Sequence, residues 1–136
     1  MKSAAVLIVL SCLLVTSVFG LSEETKNRII HVYNITRNQY ALIIGLIEDL
    51  DNSKIEESYA EEKLSEWKER YREKVRSMPK ETKKMCELME EIIEAAKEAA
   101  DDYQPNHQRT KDKLDDLEEI KEELMDEMTD IKYMVQ

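Results

Sequence analysis

The sequence predicts an all-α protein, built as an antiparallel bundle of about four helices. The chain is rich in Glu, Lys, Leu, Met and Ala, which favour helix, and it has only two glycines and two prolines among 136 residues. Apolar residues recur at steps of three and four, which is the spacing of one helix face, and Pro79 and Pro105 divide this pattern into segments. Each segment carries a narrow apolar stripe that it can bury only against the other segments.

Residues 1–20 have the features of a secretory signal peptide. Lys2 precedes a mainly apolar run over residues 4–15, and small residues stand at Val18 and Gly20, where a signal peptidase reads them. The run is shorter than the roughly 20 apolar residues of a membrane helix, so an uncleaved anchor is the less favoured alternative. We therefore predict a secreted, extracellular protein with no membrane span, in which residues 21–136 form one acidic helical-bundle domain.

After cleavage the chain would carry 19 basic and 30 acidic residues. Phosphate binding needs clustered Lys and Arg, so this balance disfavours nucleic acid and anionic membranes as partners. It is compatible with cations or with a basic protein partner. It is equally compatible with a surface that only keeps a secreted protein soluble.

The cysteines predict no disulfide framework. Cys12 leaves with the signal peptide, and Cys86 then has no partner in its own chain. A single thiol in an oxidising compartment is either buried as a small apolar side chain or paired between two chains. We favour burial and a monomer, with a dimer through Cys86 as the alternative.

The first helix is expected to start at Ser22, with Glu23 and Glu24 stabilising its first turn. Its apolar stripe is predicted to contain Ile29, Tyr33, Tyr40, Ile44 and Ile47. The polar residues 34–38 and Gly45 weaken its centre, so the segment forms either one helix or two short ones. The apolar run from Tyr40 to Ile47 is too wide for one stripe, which indicates burial on more than one side.

The second helix follows a turn at Asp51-Asn52. Ser53 and Glu56 have the spacing of a capping box, in which each side chain accepts from the other residue's backbone N–H. The predicted stripe comprises Ile55, Tyr59, Leu64, Trp67, Tyr71, Val75 and Met78. We expect Trp67, in the middle of this stripe, to be buried against another helix.

The last two helices are separated by prolines. Pro79 ends the second helix and suits the first position of the third, and residues 104–106 (Gln-Pro-Asn) break the chain again. The third stripe comprises Met85, Met89, Ile92, Ala96, Ala99 and Tyr103, and the fourth comprises Leu114, Leu117, Leu124, Met128, Ile131 and Val135. Leu117, Leu124 and Ile131 are seven apart, so the last helix could instead form a coiled coil with another chain.

No pattern in the sequence indicates catalysis or a cofactor. His31 and His107 are the only histidines, and neither belongs to a recognisable catalytic motif. One glycine remains after residue 20, so a Gly-rich phosphate loop is excluded, and no His/Cys set has the spacing of a zinc site. We predict that the protein is not an enzyme and has no catalytic residues.

Two acidic clusters are candidate sites for calcium or magnesium, which prefer several oxygen ligands. The first is Glu48, Asp49 and Asp51. An EF-hand loop counted from Asp49 fails, because Lys54 stands where glycine is required and Ala60 where a bidentate Glu belongs. The second cluster is Asp115, Glu119 and Glu123, which lie one helical turn apart and repel one another. The alternative for both clusters is a solvated acidic face.

Two further features concern apolar ligands and modification. Six methionines follow residue 20, and such a core could admit a lipid, although methionine is more often filler at helical spacing. Asn34-Ile35-Thr36 is an N-glycosylation sequon, so Asn34 is a candidate acceptor.

Residues 52–71 form a polar turn and then a helix with spaced Glu and Lys, followed by Leu, an acidic residue, Trp and Tyr. The positions concerned are Asn52, Ser53, Ile55, Glu57, Glu61, Lys63, Leu64, Glu66, Trp67 and Tyr71. This pattern resembles the SXP/RAL family of secreted nematode antigens, and the residues 78–81 (Met-Pro-Lys-Glu) and the Lys-, Asp- and Leu-rich last helix are also similar. The likeness spans about Ile43 to Glu123. The family usually has glycine just after the Trp-to-Tyr stretch, where this chain has Arg72.

The resemblance implies a helical domain described as cation-binding, found in secreted antigens without a known catalytic role, and it transfers no ligand residues. The sequence thus predicts a secreted, non-enzymatic binding protein whose acidic surface binds divalent cations weakly. The alternatives are a carrier of small apolar ligands such as lipid, and a secreted effector that acts through protein–protein interaction.

Overall fold

The computed structural model describes residues 20–136 and confirms the all-α class. This part of the chain forms four α-helices and no β-strand. The helices are α1 (Glu23–Asp51), α2 (Glu57–Val75), α3 (Lys83–Ala100) and α4 (Gln108–Met134), with a short 3-10 helix (Lys80–Thr82) before α3. The predicted signal peptide lies outside the described residues except for Gly20. None of the helices formed by residues 20–136 combines the length and the hydropathy that a membrane span requires.

Helix α3 is the centre of the bundle. It contacts the other three helices, whereas α4 packs mainly against α3 alone. Nine of its eighteen residues are buried. Between α2 and α3, Lys68 pairs with Glu94 and Arg72 with Glu90, so the two helices run antiparallel. Between α3 and α4, Lys84 pairs with Glu127 and Glu98 with Lys113, which shows the same arrangement. The centre of the molecule is therefore an apolar helix that carries acidic residues only on its remaining outer face.

Helix α1 is continuous, so the polar stretch over residues 34–38 and Gly45 do not divide it. Its buried positions alternate in steps of three and four, and they are Ile29, Val32, Thr36, Gln39, Ile43, Leu46 and Leu50. The predicted stripe was wrong beyond Ile29, because Tyr33, Tyr40, Ile44 and Ile47 lie half-buried on a flanking face. Thr36 and Gln39, which interrupt the pattern as polar residues, are in fact part of the buried face.

The predicted capping box at the start of α2 was also wrong. Helix α2 begins at Glu57, and Glu56 precedes it without a side-chain capping bond. Ser53 instead has φ +57° and ends α1. The backbone N–H of Ser53 donates to the carbonyl of Leu50 (3.1 Å) and that of Lys54 to the carbonyl of Asp49 (2.8 Å), which is the bond pattern of a Schellman motif. The turn thus provides hydrogen-bond donors for the last backbone carbonyls of α1 before α2 begins.

Helix α2 buries a narrower stripe than the sequence predicts. Leu64 and Tyr71 are fully buried, and Trp67 is only half-buried against the core. Tyr59 is not in the core, since it is 47% exposed and its ring faces the Lys63 ammonium 5.5 Å away. The helix is amphipathic as expected, but its other two aromatic residues do not enter the core. Tyr59 lies at the surface, and Trp67 lies at the edge of the core.

The apolar stripes of α3 and α4 are confirmed. All six predicted residues of α3 and its extension are buried, and in α4 the residues seven apart, Leu117, Leu124 and Ile131, are buried in the core of the same chain. Leu114 and Val135 pack at its edge. The position of Pro79 differs from the prediction, because it precedes the 3-10 turn and α3 starts only at Lys83.

A small polar cluster is built into the core where three helices meet. The Thr36 and Tyr71 hydroxyls, both in fully buried residues, lie 2.9 Å apart and share a hydrogen bond. Burial and the neighbouring Cys86 thiol raise the pKa of Tyr71 well above its ordinary value of 10.0. The Cys86 thiol is half-buried, and its own pKa is raised by burial. The hydroxyl pair joins α1 to α2 by a directional bond, and the Cys86 thiol of α3 lies beside it.

Candidate functional site

The candidate site is a carboxylate-lined groove between α3 and α4, which we call the acidic groove. It has a volume of about 580 Å³, and its lining residues are Glu87, Glu90, Glu91, Glu94, Ala95, Glu98, Asp116 and Ile120. The five glutamates recur along α3 at steps of one, three and four, so they form a band on the outer side of this helix. Asp116 reaches the groove from α4 because Leu117 and Leu124 anchor that helix on α3.

Part of the negative charge in the acidic groove is neutralised from its rim. Lys68 pairs with Glu94, and Arg72 pairs with Glu90. The hydrogen bond from Lys68 is the main cause that lowers the pKa of Glu94. On the α4 side the Lys113 ammonium lies 3.4 Å from the Glu98 carboxylate.

Two carboxylates of the acidic groove are left available to a ligand. Glu91 and Asp116 are exposed, and neither forms an ion pair within the described part of the chain. Ala95 of α3 and Ile120 of α4 also line the groove and add apolar surface to it. Lys and Arg side chains have an apolar stem and a charged head, so a lining of carboxylates and apolar side chains matches their chemistry.

The residues of the first predicted cation cluster, Glu48, Asp49 and Asp51, lie at the end of α1 in different surroundings. Asp51 accepts a hydrogen bond from the Tyr103 hydroxyl (2.7 Å), and Glu57 accepts one from the Tyr103 backbone N–H (2.8 Å). Burial and the bond to Asp51 raise the pKa of Tyr103. Asp49 is half-buried and Glu48 is exposed. The structure thus uses Asp51 to hold the end of α3 against the α1–α2 turn.

The second predicted cluster is a row of carboxylates on the outer face of α4. Asp115, Glu119 and Glu123 are all exposed. Among residues 20–136, no group of three or more Asp, Glu, His or Cys side chains is placed to hold a metal ion. The calcium or magnesium prediction therefore rests on the sequence alone.

The remaining candidates fall at different places in the bundle. Met85, Met89 and Met128 are buried in the core, where they fill space between helices. Asn34 is half-buried on α1, and Thr36 of the same sequon is fully buried. His31 and His107 are both exposed.

The acidic groove itself was missed from the sequence. The sequence signal for it is the band of glutamates along residues 87–98, which lies between the apolar positions of α3. The contribution of Asp116 could not be predicted, because it depends on how α4 docks on α3. The two clusters chosen from the sequence were ranked by local charge density, which does not report whether side chains converge.

Comparison with known proteins gives no information on the function of this chain. No protein-family model, curated protein or solved structure matches this chain. The resemblance to the SXP/RAL family stays a prediction, and the function is argued below from the acidic groove.

Proposed function

We propose that this protein is a secreted, non-enzymatic binding protein whose acidic groove takes up a basic segment of a protein partner. The observation that carries the proposal is the presence of unpaired carboxylates and apolar side chains in the lining of one groove. Glu91 and Asp116 supply the charge that no cation of the described chain neutralises, and Ile120 supplies apolar contact. This is the protein-interaction alternative of the sequence analysis, with the class of partner specified.

The chemistry favours an Arg- or Lys-rich segment over a single ion. A metal ion needs several oxygens converging on one point, whereas the carboxylates here are spread along three turns of α3. A row of guanidinium or ammonium groups can meet such a row one charge at a time. Each charge-assisted hydrogen bond is about twice as strong as a neutral one.

The proposal is tested by the binding of a fluorescent oligoarginine peptide to the full chain, measured by anisotropy in about 0.15 M salt. The test variant is Glu91→Gln/Asp116→Asn, which removes two charges from the acidic groove and preserves the side-chain shape. We expect its affinity for the peptide to fall about tenfold, which corresponds to about 1.4 kcal/mol.

The matched control is Glu62→Gln/Asp130→Asn, which removes two exposed carboxylates outside the groove. This variant should bind the peptide like the parent protein. An equal loss in the two variants would show that the peptide responds only to net charge, and the groove would then have no specific role.

A further inference from the structure

The strongest departure from the acidic character of the chain lies at its midpoint. Residues 70–84 contain seven basic and two acidic residues, in a protein whose formal net charge is −10. The segment covers the end of α2, the 3-10 turn and the start of α3. A concentration of positive charge inside an acidic chain is not explained by solubility, which the carboxylates already provide.

The fold gathers four of these cations around one pocket, which we call the basic pocket. Arg72 comes from α2, Arg76 is the residue that follows α2, Lys80 comes from the 3-10 turn and Lys83 is the first residue of α3. The pocket has a volume of about 290 Å³. Its other lining residues are mainly apolar or weakly polar, and they include Val75, Met78, Pro79, Thr82 and Cys86.

The pocket keeps a positive surplus after its internal ion pairs are counted. Glu87 and Glu90 also line it, and both belong to the acidic groove as well. Glu90 is held by Arg72, and Glu87 lies 4.0 Å from Lys83.

Arg76 and Lys80 remain. Arg76 pairs with Glu73 in the last turn of α2 (2.7 Å), in an exposed pair of the kind that contributes little to stability. Lys80 forms no ion pair in the part of the chain that the structure describes. Lys80 is therefore free to bind an anion from solution, and Arg76 can join it at the small cost of exchanging its exposed partner.

We propose that the basic pocket binds a small ligand in which a phosphate or sulfate group is joined to an apolar body. Arg76 and Lys80 would bind the oxyanion at the rim, and Val75, Met78 and Pro79 would contact the apolar part. The pocket also lies at the amino end of α3, where the helix dipole favours negative charge. This binding activity is separate from the proposed role of the acidic groove and does not depend on it.

The ligand chemistry is tested on the full chain with phenyl phosphate as the soluble probe. Phosphatidylcholine vesicles with and without phosphatidate present the same group as a lipid headgroup. Calorimetry in about 0.15 M chloride separates saturable binding from the ion atmosphere. The alkylation rate of Cys86, followed by peptide mass spectrometry, gives a second readout, because an occupied pocket covers this thiol.

The test variant is Arg76→Gln/Lys80→Gln. The matched control is Arg70→Gln/Lys74→Gln, which removes two exposed cations of α2 that do not line the pocket. We expect the parent and the control to bind the probe alike, and the test variant to lose about tenfold or more in affinity. Bound probe should slow the alkylation of Cys86 in the parent.

The binding and alkylation measurements together decide whether the basic pocket binds the probe. Loss of affinity limited to Arg76→Gln/Lys80→Gln supports the pocket, and the probe that binds tells whether a soluble ester or a lipid headgroup is the ligand. Saturable binding of neither probe would overturn the proposal. Equal loss in both variants, with an unchanged alkylation rate at Cys86, would also overturn it.

Discussion

At the scale of single residues, the hydrogen bond between Thr36 and Tyr71 has the clearest energetic role. Both groups are removed from water, and their two hydroxyls hydrogen-bond to each other. An unsatisfied buried polar group costs free energy, whereas an apolar pair of the same shape can be nearly neutral. This asymmetry makes the bond testable by single and double substitution.

We expect Tyr71→Phe to lower the free energy of unfolding by about 1–3 kcal/mol, because it leaves the Thr36 hydroxyl without its partner. Adding Thr36→Val should recover part of that loss. Urea unfolding followed by circular dichroism measures both variants. Tyr133→Phe, at a side chain that is 71% exposed, is the control and should unfold like the parent. No recovery in the double variant would mean that the two hydroxyls are not energetically coupled.

The raised pKa of Tyr71 also predicts how stability depends on pH. In the unfolded chain this phenol ionises near its ordinary pKa of 10.0, while in the folded chain burial keeps it protonated at that pH. Its contribution is therefore fully present below the unfolded pKa and is lost as pH rises from there towards the folded pKa. Urea midpoints between about pH 8 and pH 11 should fall less steeply for Tyr71→Phe than for the parent. Parallel curves for the two proteins would assign the alkaline loss to other groups.

Tyr71 lies on the apolar stripe predicted for α2, whereas Thr36 lies in the polar stretch that was expected to weaken the centre of α1. A polar residue is buried favourably only when a partner reaches it, and here that partner is 35 residues away on another helix. The same reason explains the misplaced stripe of α1. Tyr33 and Tyr40 looked like core residues by apolarity, yet the buried register passes through Thr36 and Gln39. A pattern read along one helix cannot report this.

At the scale of the secondary-structure elements, the turn between α1 and α2 stores strain at Ser53. Its φ of +57° lies in the left-handed region, which costs a residue with a Cβ about 1–2 kcal/mol. Glycine is the usual residue at this position of a Schellman motif. The structure thus gives this carboxylate-rich turn a structural role, which is to end α1.

We expect Ser53→Gly to raise the free energy of unfolding by about 0.5–1 kcal/mol, since glycine adopts the observed φ without steric cost. Thermal and urea unfolding should both show the gain. The matched control is Ser65→Gly, at an exposed position inside α2, which should destabilise by about 0.5 kcal/mol. If both substitutions destabilise, Ser53 does not hold the left-handed conformation in solution.

At the scale of the whole molecule, α3 determines how closely the other helices pack. Ala95, Ala96, Ala99 and Ala100 are all buried at its carboxyl-terminal end, and Met85, Met89 and Ile92 fill the other end. Small side chains let neighbouring helices approach closely, whereas larger ones fill more of the space between helices. The all-α class and the stripes of α3 and α4 could be predicted because the apolar residues of both helices recur at regular helical spacing.

We expect Ala96→Leu to lower the free energy of unfolding by about 1–3 kcal/mol, because the fully buried site has no room for three more carbon atoms. Ala41→Leu makes the same change at an exposed position of α1 and should leave stability nearly unchanged. Urea unfolding distinguishes the two. A neutral Ala96→Leu would indicate space beside α3 that the packing described above does not contain.

The buried Thr36 has a consequence for the timing of events during biosynthesis. A glycosyltransferase reads an Asn-Xaa-Thr acceptor through the threonine hydroxyl as well as the asparagine, and in the folded chain that hydroxyl is enclosed and bonded to Tyr71. Any sugar on Asn34 must therefore be attached before α1 docks on α2. The fraction of chains glycosylated at Asn34 would then depend on the rate of folding relative to the rate of glycosylation. If Asn34 is an acceptor, a slowly folding variant of this protein should carry more sugar on Asn34 than its parent.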